Sequence, residues 1–195
     1  FFFNGFSYSE DNSIIALMYH RFDEPKYQST SISSELFEKH LNLIKKNGFN
    51  VLNLKDFLDI LINKKKIPKK TLLITVDDAF RSFYDFAFPL LKKYNFPFSV
   101  FVSTASVSKD KESDFMSWEM LKEIQEHRGM VFNHTVDHIS LVGLSDRMII
   151  DQVTKASNKI KLKLGIDNPK VFSYPYGESS ERVEKILEGL GILAA

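Results

Sequence analysis

The chain contains no cysteine, which excludes a disulfide, a Cys-ligated zinc and a thiol nucleophile in one stroke and leaves the redox compartment open. It also lacks a dominant charge. Twenty-six Lys and Arg face 25 Asp and Glu for a net +1, so its electrostatics call for no nucleic-acid partner. No uninterrupted apolar run reaches the ~18 residues that a helical membrane span needs. Glycine and proline are sparse, 8 and 6, and no low-complexity linker divides the chain. Its 195 residues fit one domain, and 44% hydrophobic content is ordinary for a globular protein. The lysine runs Lys64-Lys65-Lys66 and Lys69-Lys70 flank Pro68 and read as a solvated turn before a strand. At the start, Phe1-Phe2-Phe3 precedes a polar stretch with Asn12 and Ser13. It reads either as the tail of a signal peptide's apolar region or as a short edge segment, since no basic n-region is present. Residues 1–12 are thus expected to form an N-terminal extension and 13–195 one domain, with a secreted, periplasmic or cell-envelope location.

What is present is alternation. Ile14-Ile15-Ala16-Leu17-Met18-Tyr19 is an apolar run of strand length, and residues 34–47 then place Leu36, Phe37, Leu41 and Ile44 at helical spacing until Gly48. Asn50-Val51-Leu52-Asn53-Leu54 with residues 55–63 repeats this strand-helix unit, and 71–76 with 82–94 repeats it again. Runs at 98–102, 130–133 and 171–174 lead to helices near 118–127, within 144–164 and at 181–190, and Ile192-Leu193-Ala194-Ala195 closes the chain. Seven strands alternating with six helices predict a parallel α/β sheet, because parallel neighbours need a crossover helix.

That architecture gathers the polar residues. In a βα barrel the chemistry sits where the strands end. His20 follows the first run, Asp77-Asp78 the third, His134-Thr135-Val136-Asp137-His138 the fifth, and Tyr174-Pro175-Tyr176-Gly177 the sixth. Two imidazoles and a carboxylate would hold a metal and leave an open position, the mark of a catalytic site. If Asp78 is the ligand, Asp77 stands beside it as a candidate base. His40, mid-helix, and His127, at a helix end, read as structural. Tyr8, Tyr27, Tyr84 and Trp118 read as packing residues, with sugar stacking the alternative. Asp137 is either a partner of the ligands or plain surface.

These motifs resemble the polysaccharide deacetylases, carbohydrate esterase family 4 or NodB-homology domains. The family's Thr-Phe-Asp-Asp-Gly appears as Thr75-Val76-Asp77-Asp78-Ala79, its His-Ser/Thr-x-x-His as His134-Thr135-Val136-Asp137-His138, and its Arg-x-Pro-Tyr/Phe-Gly as Ser173-Tyr174-Pro175-Tyr176-Gly177. The connecting phrases Phe88-Pro89-Leu90-Leu91-Lys92-Lys93-Tyr94 and Met116-Ser117-Trp118-Glu119 match as well. Within the family the chain looks most like the circularly permuted poly-β-1,6-N-acetylglucosamine deacetylases, whose histidine motif comes first. Leu17-Met18-Tyr19-His20 stands in that place.

The resemblance implies a distorted (β/α)7 barrel of parallel strands that removes N-acetyl groups from an N-acetylglucosamine polymer as a monomer. It implies Asp77 as general base, His20 as general acid, and Asp78, His134 and His138 as ligands of one divalent ion, zinc first, with cobalt or nickel as substitutes. Tyr174, Pro175 and Tyr176 would form the substrate and oxyanion turn. Two alternatives share the fold: an impaired carbohydrate-binding module, and a metal amidase acting on a non-sugar amide. Two departures set further expectations. Ala79 replaces a glycine, so a positive φ there would strain the turn. Ser173 replaces the arginine that orients the base, with Arg81 or Arg147 as substitutes.

Overall fold

Strands form where the apolar runs lie, and their burial separates centre from edge. In the computed structural model, described for residues 14–108, 110, 112–166 and 170–195, β1 (Ile14–Tyr19), β4 (Asn50–Leu52), β5 (Thr71–Val76), β6 (Phe98–Val102) and β7 (Gly129–Asn133) make one parallel sheet. β1 runs along the whole of β5, from Ile14 opposite Thr71 to Tyr19 opposite Val76. With that edge taken, β4 and β6 share the other: Asn50–Leu52 meet Thr71–Leu73, and Ser99 and Val100 meet Thr75 and Val76. Every residue of β6 is buried and all but one of β5, as expected of parallel strands covered on both faces. Two short strands, β2 (Arg21–Phe22) and β3 (Ser31–Ile32), pair with each other beside the end of β1.

Helices α1 (Ser34–Lys46), α2 (Leu54–Ile62), α3 (Phe88–Tyr94), α4 (Trp118–Glu126), α5 (Asp146–Leu164) and α6 (Glu181–Gly189) link the strands. Five of them start on a side-chain cap: Ser33, Asn53, Ser117, Ser145 and Ser180 each accept a backbone N–H of the first turn, which satisfies one of the turn's orphan donors. The exception is the 82–94 helix, which divides into a π-helical turn, Phe83–Ala87, and α3. Pro89 gives the cause. It has no N–H for the carbonyl four residues back, and a wider turn relieves the clash of its ring. The apolar stripes of α1, α3 and α4 (Phe37, Leu41, Phe88, Leu91, Leu121, Ile124) close over Ile74, Val76, Phe98 and Val100 in the main core.

The sixth and seventh expected strands shrink to single bridges. Phe172 pairs with Asn133 and Ala194 with Val171, both parallel. The first run cannot continue because Pro175, which has no ladder donor, turns the chain into the 3-10 helix Pro175–Gly177. Among the described residues no ladder joins this end to β1, so the ring is open there. The expected N-terminal extension lies outside the described residues. No helix among the described residues is long and apolar enough to cross a membrane.

Candidate metal centre and active site

Register places the chemistry. One residue beyond the Tyr19–Val76 pair lie His20 and Asp77. One beyond the Asn133–Phe172 pair lie His134 and Ser173. All these strands are parallel, so the four residues share one rim.

Asp78, His134 and His138 meet there, with their ligand atoms within 4.8 Å of one another. The Nε2 atoms of His134 and His138 stand 3.4 Å and 3.0 Å from Asp78 Oδ1. Two further facts test whether this set suits a cation. His134 Nδ1 lies 2.8 Å from the Ser173 carbonyl oxygen; a carbonyl only accepts, so Nδ1 carries the proton and, in the neutral ring, Nε2 presents a lone pair. Asp78 Oδ1 is buried and receives no hydrogen bond of acceptable geometry. A carboxylate oxygen and an imidazole lone pair facing each other are the donor set of a borderline divalent ion. The residues fit a metal.

The electrostatics agree in direction. Burial pushes the Asp78 carboxyl up, but the two imidazoles beside it overcome that and hold it well below the usual carboxylate range. His138 is raised, first through its contact with Asp78. Asp77 differs from its neighbour. It is 5% exposed, and burial raises its carboxyl; the charges of His134 and His20 and a hydrogen bond from Ser173 oppose that, while Asp78 adds to it. The Ser173 hydroxyl donates to Asp77 Oδ2 at 3.1 Å, and the Asp77 N–H donates to Tyr19 O at 2.9 Å. One carboxylate is thus held among imidazoles while the other is buried and hydrogen-bonded, so the two stand in different environments.

Backbone strain collects at the same place. Positive φ occurs at Asp78 (70°), Ala79 (58°), Thr135 (73°), His138 (53°) and Tyr176 (61°), conformations that cost about 1–3 kcal/mol each for such residues and persist where surroundings impose them. The motif-one turn therefore does need the conformation a glycine adopts freely, and Ala79 takes it while buried. The π-helical turn that follows has no side-chain cap at its N-cap position, Ser82.

Several expected residues sit elsewhere. The charged groups that act on Asp77 are His134, His20 and Asp78, with no arginine among them. Arg81 bonds Asp85 at 3.2 Å, and the group that hydrogen-bonds Asp77 from the third motif is the Ser173 hydroxyl. The Tyr174 ring packs edge-on to Phe172 at 5.4 Å within the α5–α6 core. Burial pushes its phenol up to about 12, with Glu184 and Glu188 of α6 adding to this. Pro175 is buried and sets the turn. Tyr176 is 70% exposed, its ring edge-on to His138 at 4.7 Å. His40 accompanies the Tyr19 hydroxyl at 3.0 Å and His127 the Glu123 carbonyl at 3.0 Å, both away from the site. Tyr8 lies outside the described residues. Tyr27 stacks on the Arg21 guanidinium at 3.9 Å, with Phe80 on that cation at 3.5 Å. This sandwich ties the His20 loop to the motif-one turn, and no periodicity in the sequence announces it.

A sheet of parallel strands with paired aspartates and two histidines on its rim is an architecture of NodB type. The chain belongs to the polysaccharide deacetylase family, whose description matches residues 64–195. It is 27% identical to the poly-β-1,6-N-acetyl-D-glucosamine N-deacetylase of Staphylococcus aureus over 94% of this chain and 71% of that protein. It is 29% identical to YxkH of Bacillus subtilis over 90% of this chain, and there it spans 61% of the relative's length. Among solved structures, IcaB from Ammonifex degensii superposes with a TM-score of 0.84 at 28% identity, covering 94% of this chain and 83% of that one. The Streptococcus pyogenes deacetylase PplD in complex with acetate superposes at 0.83 with 24% identity, covering 92% and 80%, a likeness of fold.

Proposed function

We propose that the protein hydrolyses N-acetyl groups from a polysaccharide, with an N-acetylglucosamine polymer as its substrate class. The convergence of Asp78, His134 and His138 beside a second, buried aspartate carries the reading. The S. aureus and A. degensii relatives support the choice of polymer. A divalent ion in this set, zinc first and cobalt or nickel in its place, would supply Lewis acidity, polarising the acetyl carbonyl and lowering the pKa of water to about 7.

The protein's own groups do the rest. Asp77 takes the proton from the attacking water, and the Ser173 hydroxyl on Oδ2 leaves its other oxygen to do so. His20, across the rim at the end of β1, gives a proton to the departing amine, which leaves only when protonated. The N–H groups of Gly177 and Glu178 are spent on Tyr174 O and Pro175 O, so the Tyr176 N–H is the turn's donor for the developing oxyanion. An acetylated extracellular polymer also implies action outside the cytoplasm. Acetate release from β-1,6-linked N-acetylglucosamine oligomers, chitin oligomers, peptidoglycan and acetylated xylan tests the proposal. Release from the β-1,6-linked oligomers above the others is expected; no release from any of the four overturns it.

A further inference from the structure

The two ligand histidines are four residues apart in sequence, yet they are fixed by different means. His134 is gripped directly: its N–H donates to Val102 O at 3.1 Å, its carbonyl accepts from Ser103 Oγ at 2.7 Å, and its ring donates to Ser173 O at 2.8 Å. His138 is placed by the backbone that leads to it. Thr135 N–H donates to Asn133 Oδ1 at 2.8 Å, and His138 N–H donates to Thr135 Oγ1 at 3.0 Å. The carbonyls of Thr135 and Val136 accept from Thr104 and Ala105. Two consecutive N–H groups remain, those of Val136 and Asp137, and they converge as successive amides do in an anion-binding nest.

A single side chain from α5 fills that nest. Gln152 Oε1 accepts from Val136 N–H at 3.0 Å and from Asp137 N–H at 3.1 Å, while its Nε2 donates to Asp137 Oδ2 at 2.6 Å. The next turn of the helix grips the strand end behind: Asn133 Nδ2 donates to Val153 O and Ser157 Oγ, both at 2.8 Å. The side-chain amide is matched to this place because it is acceptor and donor at once. Glutamate would keep the acceptor but confront Asp137, and leucine would offer neither.

We infer that Gln152 is a positioning residue of the metal centre, its amide spanning the loop between the ligand histidines and setting where His138 presents Nε2. The inference rests on the metal reading of Asp78, His134 and His138. Groups that orient ligands from behind typically govern metal affinity by 10–100-fold.

The test is titration of metal-stripped protein with Zn²⁺ or Co²⁺ against a chromophoric chelator. Wild type and His138→Ala come first: no binding by wild type, or undiminished binding by His138→Ala, overturns the site itself and the inference with it. Where wild type binds and His138→Ala does not, Gln152→Leu is expected to bind about 10-fold more weakly or worse, with its urea midpoint near that of wild type. Gln152→Glu should bind weakly as well, and Gln152→Glu with Asp137→Asn, which restores a donor facing an acceptor, should return to within about threefold of wild type. Should Gln152→Leu fail to fold, the single and paired glutamate variants carry the test. Wild-type affinity in Gln152→Leu or Gln152→Glu, or no recovery in the pair, overturns the inference.

Discussion

The site has an inner and an outer side, built on different principles. Asp77 and His134 are 5% and 2% exposed, and each is hydrogen-bonded through Ser173. The His138 side chain is 27% exposed and Tyr176 is 70% exposed; both rest on strained loop backbone, with φ of 53° and 61°. The inner side is part of the sheet's own hydrogen bonding, so it costs folding free energy to disturb. The outer side is solvent-exposed and can be altered with the core intact. Substitutions on the inner side are therefore expected to cost stability as well as activity, and those on the outer side activity alone.

The largest expected effect isolates chemistry on the inner side. Asp77→Asn preserves shape and the Ser173 contact but removes the base, so acetate release should fall by about 10²-fold or more with metal content unchanged. Loss of metal together with activity would exchange the roles of Asp77 and Asp78. His20→Ala probes the same rim at the end of β1. It should depress amide hydrolysis far more than hydrolysis of an activated aryl acetate, whose leaving group needs little protonation. Equal losses on the two substrates would remove His20 from the mechanism.

The stability contrast is sharper between the histidines. His134→Ala deletes a buried ring and its hydrogen bond to Ser173 and should lower unfolding free energy by about 3 kcal/mol in metal-free protein. His138→Ala, at the exposed side, should lower it by less than about 1 kcal/mol. Urea unfolding of both metal-free variants checks this, and equal losses would erase the distinction between the two sides. One small effect is a gain. Ala79→Gly relieves a left-handed residue at φ 58° and should stabilise by about 1 kcal/mol; a loss would mean that the Ala79 methyl, buried in the core, is worth more than the strain.

How much of this could be read from the residues depends on whether a feature is periodic or relational. The strand-helix alternation is periodic, and the sheet from β1 to β7 follows it closely. The runs at 171–174 and 192–195 carry the same apolar signal, yet they yield only the Val171–Ala194 and Asn133–Phe172 bridges, because Pro175 and the site turn claim the backbone. Asp78, His134 and His138 were legible as a set because ligand chemistry restricts residue types. Ser173 was visible as a missing arginine, but its hydroxyl on Asp77 is a three-dimensional fact. Gln152 and the Arg21 sandwich carry no spacing signal, since their partners come from other elements. Ala79 was the exception, since the expectation that its turn is strained came from the missing glycine alone.

One divalent ion is expected between Asp78, His134 and His138. The most direct test is the stoichiometry and affinity of Zn²⁺ or Co²⁺ for metal-stripped protein, measured by calorimetric titration on wild type, Asp78→Ala, His134→Ala and His138→Ala. One ion per wild-type chain and a loss of that binding in each of the three variants are expected; the same ion bound equally well by any of them would contradict the three-residue site.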